Sequence, residues 1–204
     1  MPPSTITPVF VADMLAENGR IPLYVHLIDH PDARVLVDTG MTEVHPLVAD
    51  HEPRLRPLSE QDLDLATIDV VVNTHLHFDH CGGNRLFPGK PIYVQRQELE
   101  DARTTENYTI GEWVDAPGVQ YEPVDGELEL LPGLRLVPAP GHTPGLQVVV
   151  VETEGRPIIV GGDVATFSGE LDEPQENGQR AVRALDPELV WLAHEAEPWR
   201  PSTA

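Results

Sequence analysis

Five short apolar, β-branched runs in this chain each end on an acidic residue or a histidine. Arg34 to Val37 runs into Asp38-Thr39-Gly40, Ile68 to Val72 into Asn73-Thr74-His75, and Leu134 to Val137 into Pro140-Gly141-His142. Ile158 to Val160 leads to Gly161-Gly162-Asp163, and Val190 to Ala193 ends on His194. Runs of this length and composition read as strands. Polar groups just past strand ends converge on one edge of a sheet, where α/β proteins place their sites. Chance would instead scatter these residues along the strands.

The densest of these ends is Asn73-Thr74-His75-Leu76-His77-Phe78-Asp79-His80, with three imidazoles and a carboxylate inside six residues. A single histidine or aspartate at a strand end is ordinarily solvated or caps a turn. Four such groups so close together need something to bind them, and zinc or a similar divalent metal binds both imidazole nitrogen and carboxylate oxygen. Adding His142, Asp163 and His194 gives seven candidate ligands, enough for two ions. In an extended loop His75 and His77 project to one side, Asp79 continues that phase, and His80 turns toward a neighbouring ion. The expected assignment is His75, His77 and His142 to one metal and Asp79, His80 and His194 to the other, with Asp163 bridging. His26, His30, His45 and His51 have no such context and read as ordinary surface or loop residues. Cys81 reads as a small residue on the turn before Gly82-Gly83.

Composition narrows the function classes. The 204 residues fit one domain, 1–204. With 34 acidic against 13 basic residues and a formal charge of −21, neither nucleic acid nor an anionic membrane surface is an expected partner. Lys90 is the single lysine, which leaves no lysine-based chemistry, and one cysteine allows no internal disulfide. No apolar run approaches the ~20 residues of a membrane span. Met1 to Thr5 lacks the features of a signal peptide, so cytoplasmic residence is expected. Further strands are expected over Leu23 to Ile28, Ile92 to Gln95, Gln147 to Glu152, Pro157 to Val160 and Leu189 to Leu192. Helices are expected over Ser59 to Leu65, Gln97 to Arg103 and Gln175 to Leu185; in the first, Asp62 follows Ser59 by three residues in a variant of the capping pattern.

His-x-His-x-Asp-His at His75 to His80, Gly141-His142-Thr143-Pro144-Gly145, Gly162-Asp163 after a strand, and the strand-end His194 together resemble the metallo-β-lactamase superfamily, from Leu23 to His194. That resemblance implies an α+β fold, an αββα sandwich with the site on one edge. It also implies a supporting role for Asp38, which would orient neighbouring groups. True dizinc β-lactamases place a cysteine where Asp163 stands, and flavin-linked di-iron relatives carry Glu where His77 stands. Nucleic-acid-processing relatives are larger. Leu36 to Met41, Asn73 to Asn84, Tyr93 to Glu98 and Gly141 to Gly145 are similar to the N-acyl-homoserine lactonases, quorum-quenching enzymes that open the lactone ring of bacterial signals.

The resemblance thus implies two divalent ions, zinc by type, a small lactone or ester substrate, and Asp79 as the group that passes a proton to the departing ring oxygen. Zinc lowers the pKa of bound water to about 7, which makes hydroxide available at neutral pH. Three departures mark this chain. Thr166 stands where such lactonases typically carry a substrate-holding tyrosine, with Tyr108 as a substitute, although that tyrosine reads first as an exposed loop residue. The run from Met41 to Ile68 is short for a substrate-covering loop. Leu146 replaces a frequent histidine. The alternatives are a thioesterase resembling hydroxyacylglutathione hydrolase, a mono-iron persulfide dioxygenase and a non-enzymatic metal-stabilised binding protein. Self-association into a homodimer is left open.

Overall fold

The apolar runs assemble into two sheets in a computed structural model that describes residues 4–17 and 19–202. The larger sheet contains β1 (Thr5–Ala16), β2 (Gly19–Asp29), β3 (Arg34–Val37), β4 (Arg54–Leu55), β5 (Val70–Val72), β6 (Pro91–Gln95) and β7 (Gln120–Val124), in the order β4-β1-β2-β3-β5-β6-β7. The smaller contains β8 (Leu128–Leu131), β9 (Leu134–Pro138), β10 (Gln147–Val151), β11 (Ile158–Gly162) and β12 (Leu189–Leu192), in the order β12-β11-β10-β9-β8. Ile28, Val35, Val37 and Val72 of the first sheet meet Leu134, Leu136, Val149, Val151 and Val160 of the second in one buried cluster. Every residue of β10 is buried, which explains its unbroken run of valines: a strand covered on both faces has no reason to alternate.

Helices cover the outer faces. α1 (Phe78–Cys81), α2 (Arg96–Thr104) and α3 (Gly111–Val114) lie on the larger sheet, with Leu99, Ala102 and Val114 packed around Val94 of β6. α4 (Gly169–Asp172) and α5 (Asn177–Ala184) lie on the smaller, where Leu171 and Val182 pack with Val148, Val150 and Ile159. The result is the αββα metallo-β-lactamase fold. Direction within the sheets is what builds the site. β3, β5, β6 and β7 run parallel, as do β11 and β12, while β9 and β11 each run antiparallel to the intervening β10. The C-terminal ends of β3, β5, β9, β11 and β12 therefore carry Asp38, His75, His142, Asp163 and His194 in turn.

The short elements β4, β7, β8, α3 and α4 were not expected, and two further differences have a clear physical reason. Ser59 to Leu65 forms no helix; 3-10 turns at Leu58–Glu60 and Leu65–Thr67 flank an extended Gln61. The run is too short to hold a helix by itself. Its polar groups have other partners: Gln61 donates to Phe10 O and Arg56 O, and Asp64 caps the second turn through Ala66 N. The twelve-residue β1 carried no clear signal because Pro8 and Asp13 interrupt its pattern. It survives because β2 pairs it along one side, whereas β4 pairs only Ala12 and Asp13 on the other, which leaves the edge where a proline is tolerated. Among the described residues, no helix is long and apolar enough to cross a membrane.

Candidate metal centre

β5 ends at Val72, and Asn73-Thr74 carries the chain out to His75, Leu76 and His77. The extended phase stops there. His77 takes the N-cap position of α1, with φ −62° and ψ 154°, and Phe78 to Cys81 turn helically. Asp79 therefore does not continue the alternation of His75 and His77. Asp79 and His80, on that helical turn, both reach Asp163 and His194.

Two clusters result: ring nitrogens of His75, His77 and His142 in one, and ligand atoms of Asp79, His80, Asp163 and His194 in the other, each within 4.8 Å of one another. In the first, His77 Nδ1 lies 3.1 Å from His75 Nε2 and 3.0 Å from His142 Nε2. In the second, Asp163 Oδ2 is 3.3 Å from His80 Nε2 and Asp163 Oδ1 is 3.3 Å from His194 Nε2. Asp79 Oδ2 stands 3.6 and 3.8 Å from the same two nitrogens. Asp163 Oδ2 also lies 3.6 Å from His142 Nε2 and 3.9 Å from His75 Nε2, so this one carboxylate faces both clusters.

The outer nitrogens reveal which way the lone pairs point. His80 Nδ1 donates to Asp38 Oδ2 at 2.8 Å, and His194 Nδ1 donates to Pro22 O at 2.9 Å. Thr74 Oγ1 already donates to Asp38 Oδ2, so it accepts from His75 Nδ1 at 3.2 Å. Each of these rings therefore uses Nδ1 as its outer donor and turns Nε2 inward, the nitrogen that a metal-binding histidine of this orientation offers. His80 Nε2 and Asp163 Oδ1 are buried without a hydrogen-bond partner. Buried polar atoms are rarely left so, and a divalent cation among these donors would satisfy both. The donor set fits such an ion.

Electrostatics divide the clusters in the same way. Burial, reinforced by His80, pushes His75 well below the usual imidazole range. Burial and then His142 bring His77 down to about 4. Burial opposes protonation of His80 and His194 too, but Asp163 and Asp79 outweigh it, with Asp38 adding to the effect on His80. They raise His80 well above its ordinary value and His194 to about 9. Burial likewise opposes ionisation of Asp163, yet His80 and His194 hold it well below the usual carboxylate range. His75 and His77 offer neutral nitrogen; the second cluster attracts positive charge.

Asp38 underlies the second cluster. It is buried at φ 61°, a left-handed conformation that Asp and Asn tolerate best, and its oxygens accept from Thr74 N, Thr74 Oγ1 and His80 Nδ1 at 2.7–2.8 Å. A buried amide network lies beside it. Asn73 donates to His80 O, Asn84 to Asn73, Thr39 to Asn84, and Gln147 to Asn73 O. Sequence reasoning assigned no role to Asn84, Gln147 or Glu98. The available signal was a polar residue set against wholly apolar neighbours, as Gln147 stands before four valines. His26 was expected at the surface and is instead buried in β2 beside Trp191, with Nε2 unpartnered; burial brings it down to about 3. Period-two alternation hides it, because β2 is covered on both faces from Val25 to Ile28.

Tyr108 is also less exposed than expected. It is half-buried, its ring centroid is 5.2 Å from that of His77, and its hydroxyl donates to Glu98 Oε1 at 2.6 Å. Thr166 is half-buried three residues past Asp163. A cavity of about 310 Å³ opens beside His77 and is lined by Leu47, Val48, His51, Phe78, Tyr108 and Ile110. A larger one, about 620 Å³, lies at the opposite edge of the sandwich around His30 and Pro132, remote from every candidate ligand.

Comparison with known proteins gives the same family. The sequence profile described as the Metallo-beta-lactamase superfamily matches residues 18–194. The chain is 33% identical to an N-acyl homoserine lactonase of a Bacillus species, over 97% of this chain and 88% of that one. It is 29% identical to the N-acyl homoserine lactonase AiiA of Bacillus thuringiensis subsp. kurstaki, over 84% and 73%. The solved structure of an N-acyl homoserine lactone hydrolase with the product N-hexanoyl-L-homoserine at its catalytic metal centre superposes with a TM-score of 0.76 at 22% identity, covering 95% of this chain and 93% of that one.

Proposed function

From the premise that this chain belongs to the metallo-β-lactamase superfamily and is a metal-dependent hydrolase of ester bonds, we propose that it opens the ring of N-acyl-homoserine lactones at a centre of two divalent ions. The observation that carries the two-ion reading is the single carboxylate of Asp163, which faces both His75 and His142 on one side and His80 and His194 on the other. The substrate class rests on the 33% identity to a named lactonase across nearly the whole chain.

His75, His77 and His142 would hold one ion, Asp79, His80 and His194 the other, and Asp163 both; the nitrogen-rich donor set suits zinc. Ions bound there would supply a water of lowered pKa and a Lewis acid for the ester carbonyl. The chain's own residues manage the proton. Asp79 is buried, with Oδ2 aimed at the middle of the second cluster. It takes the proton released as water adds to the carbonyl and delivers it to the ring oxygen as the C–O bond breaks. His80 and His194, anchored by Asp38 and Pro22 O, keep their positions while this happens. The apolar wall of Leu47, Val48, Phe78 and Ile110 beside His77 accommodates an acyl chain without any charged group. Of the two candidate substrate hydroxyls, that of Tyr108 is engaged with Glu98, which leaves Thr166.

Purified protein incubated with N-acyl-homoserine lactones should release one proton per ring opened and yield the N-acyl-homoserine, with two zinc-like ions per chain by elemental analysis. Reaction with aryl esters or thioesters but no ring opening would overturn the substrate, and a single iron per chain would overturn the centre. Asp163→Asn should lose both metal and turnover.

A further inference from the structure

We propose that Glu98 is the positioning residue for the His75–His77–His142 half of the centre, just as Asp38 serves the half that contains His80. The proposal rests on the two-ion reading above. Three of the imidazoles have their outer nitrogen anchored: His75 by Thr74, His80 by Asp38 and His194 by Pro22 O. His77 and His142 do not. Among the described residues, their ring nitrogens meet only one another and the other groups of the centre. His142 also keeps a third of its side chain exposed, so packing does not lock it either. An imidazole without an outer anchor stays in place only if its backbone does.

The backbone at both histidines is held by one side chain. Glu98, in the first turn of α2, is fully buried. Its Oε1 accepts from Leu76 N at 2.8 Å, the amide between His75 and His77. Its Oε2 accepts from Thr143 Oγ1 at 2.7 Å, the residue after His142. Tyr108, whose ring lies against His77, completes the set by donating to Oε1 at 2.6 Å. Two loops that arrive from different sheets are thereby tied to a single carboxylate.

Close packing at the same point is a separate observation. A Cβ on Gly145 would collide with Glu98 N and lie 2.5 Å from both Glu98 Cα and Cβ. The turn that presents His142 is therefore pressed against the backbone of Glu98, where only glycine fits. A carboxylate buried without a basic partner is costly, and burial raises its pKa accordingly. A glutamate that merely filled space would gain nothing over an apolar residue of equal volume. Two donors from the histidine loops, with Tyr108 OH as a third, give it a purpose.

The test is a zinc titration of metal-stripped protein against a chromophoric chelator, with cobalt(II) absorption to distinguish the two halves. Wild type should take two ions. Glu98→Ala should keep one at full affinity and bind the other 10–100-fold more weakly, the usual effect of removing a group that orients metal ligands. Glu98→Gln should recover most of the loss, because its amide can still accept from Leu76 N and donate to the Thr143 hydroxyl. Asp38→Ala should weaken the opposite half. Should Glu98→Ala prove insoluble, Thr143→Val removes a single link and should weaken the same half by a smaller factor. Equal loss at both halves, loss of thermal stability alone, or unchanged affinity in Thr143→Val would overturn the role of Glu98. A wild type that binds fewer than two ions would instead overturn the two-ion centre itself.

Discussion

Replacing Asp38 with asparagine changes one atom and should reverse a histidine tautomer. Asparagine accepts the φ of 61° as readily as aspartate, so the backbone has no reason to move. The aspartate oxygens accept from three donors, Thr74 N, Thr74 Oγ1 and His80 Nδ1. An amide has one oxygen and one NH₂, and either orientation sets an N–H against an N–H, at Thr74 or at His80. The Thr74 backbone proton cannot leave, so the clash settles on His80, whose proton moves to Nε2. That nitrogen, 3.3 Å from Asp163 Oδ2 and 3.6 Å from Asp79 Oδ2, then presents a hydrogen where a ligand needs a lone pair. Loss of such an orienting group costs 10–100-fold in metal affinity, or roughly 1.4–2.7 kcal/mol. The loss should fall on the Asp79–His80–Asp163–His194 half alone, while His75, His77 and His142 bind as before. Zinc competition measures the affinity, and ¹⁵N shifts of labelled histidine in the zinc-loaded protein report whether His80 Nδ1 carries a proton. Wild-type affinity together with a proton still on Nδ1 would refute the reasoning.

Stripping the metals with a chelator should abolish hydrolysis and lower the melting temperature, since ions held at a thousand times their Kd stabilise by about 4 kcal/mol each; an unchanged Tm would mean that no ion is bound by the folded state. Gly145→Ala should destabilise the protein by more than 1 kcal/mol in chemical denaturation, because the new Cβ meets backbone rather than a movable side chain. His26→Leu should make the fold less acid-sensitive. The buried imidazole is held at about 3 by desolvation, so between pH 6.5 and 3 the unfolded chain binds a proton that the folded chain does not. At pH 5 that amounts to about 2 kcal/mol lost relative to pH 7.5, a loss the variant should lack when both proteins are compared in the same metal state.

The ligand residues and their edge were legible in the chain because they obey a local rule. Most lie just past an apolar run, and short runs rich in branched residues bounded by turn residues read as strands. The parallel pairings that bring Asp38, His75, Asp163 and His194 to one edge are a property of the assembled sheets. Local rules failed where a residue's partner is remote. Asp79 was grouped with His80 and His194 but expected in phase with His75 and His77, and the helical turn from Phe78 breaks that phase. Ser59 to Leu65 carried a helix-start pattern, yet Gln61 finds its acceptors at Phe10 and Arg56. His26 and Tyr108 read as exposed because nothing within a few residues reports that Trp191 covers one and His77 the other.

By itself, then, the sequence determined which residues could bind metal and that strand ends would carry them, because residue chemistry and strand length are properties of short segments. Only the tertiary structure decided which nitrogen each ring turns inward and which buried carboxylate steadies each half. Those outcomes depend on contacts such as Glu98 with Leu76 and Thr143, or Asp38 with His80, that join residues 22 to 45 positions apart. Such contacts form only once two sheets have closed on each other, and no periodicity in the chain records them.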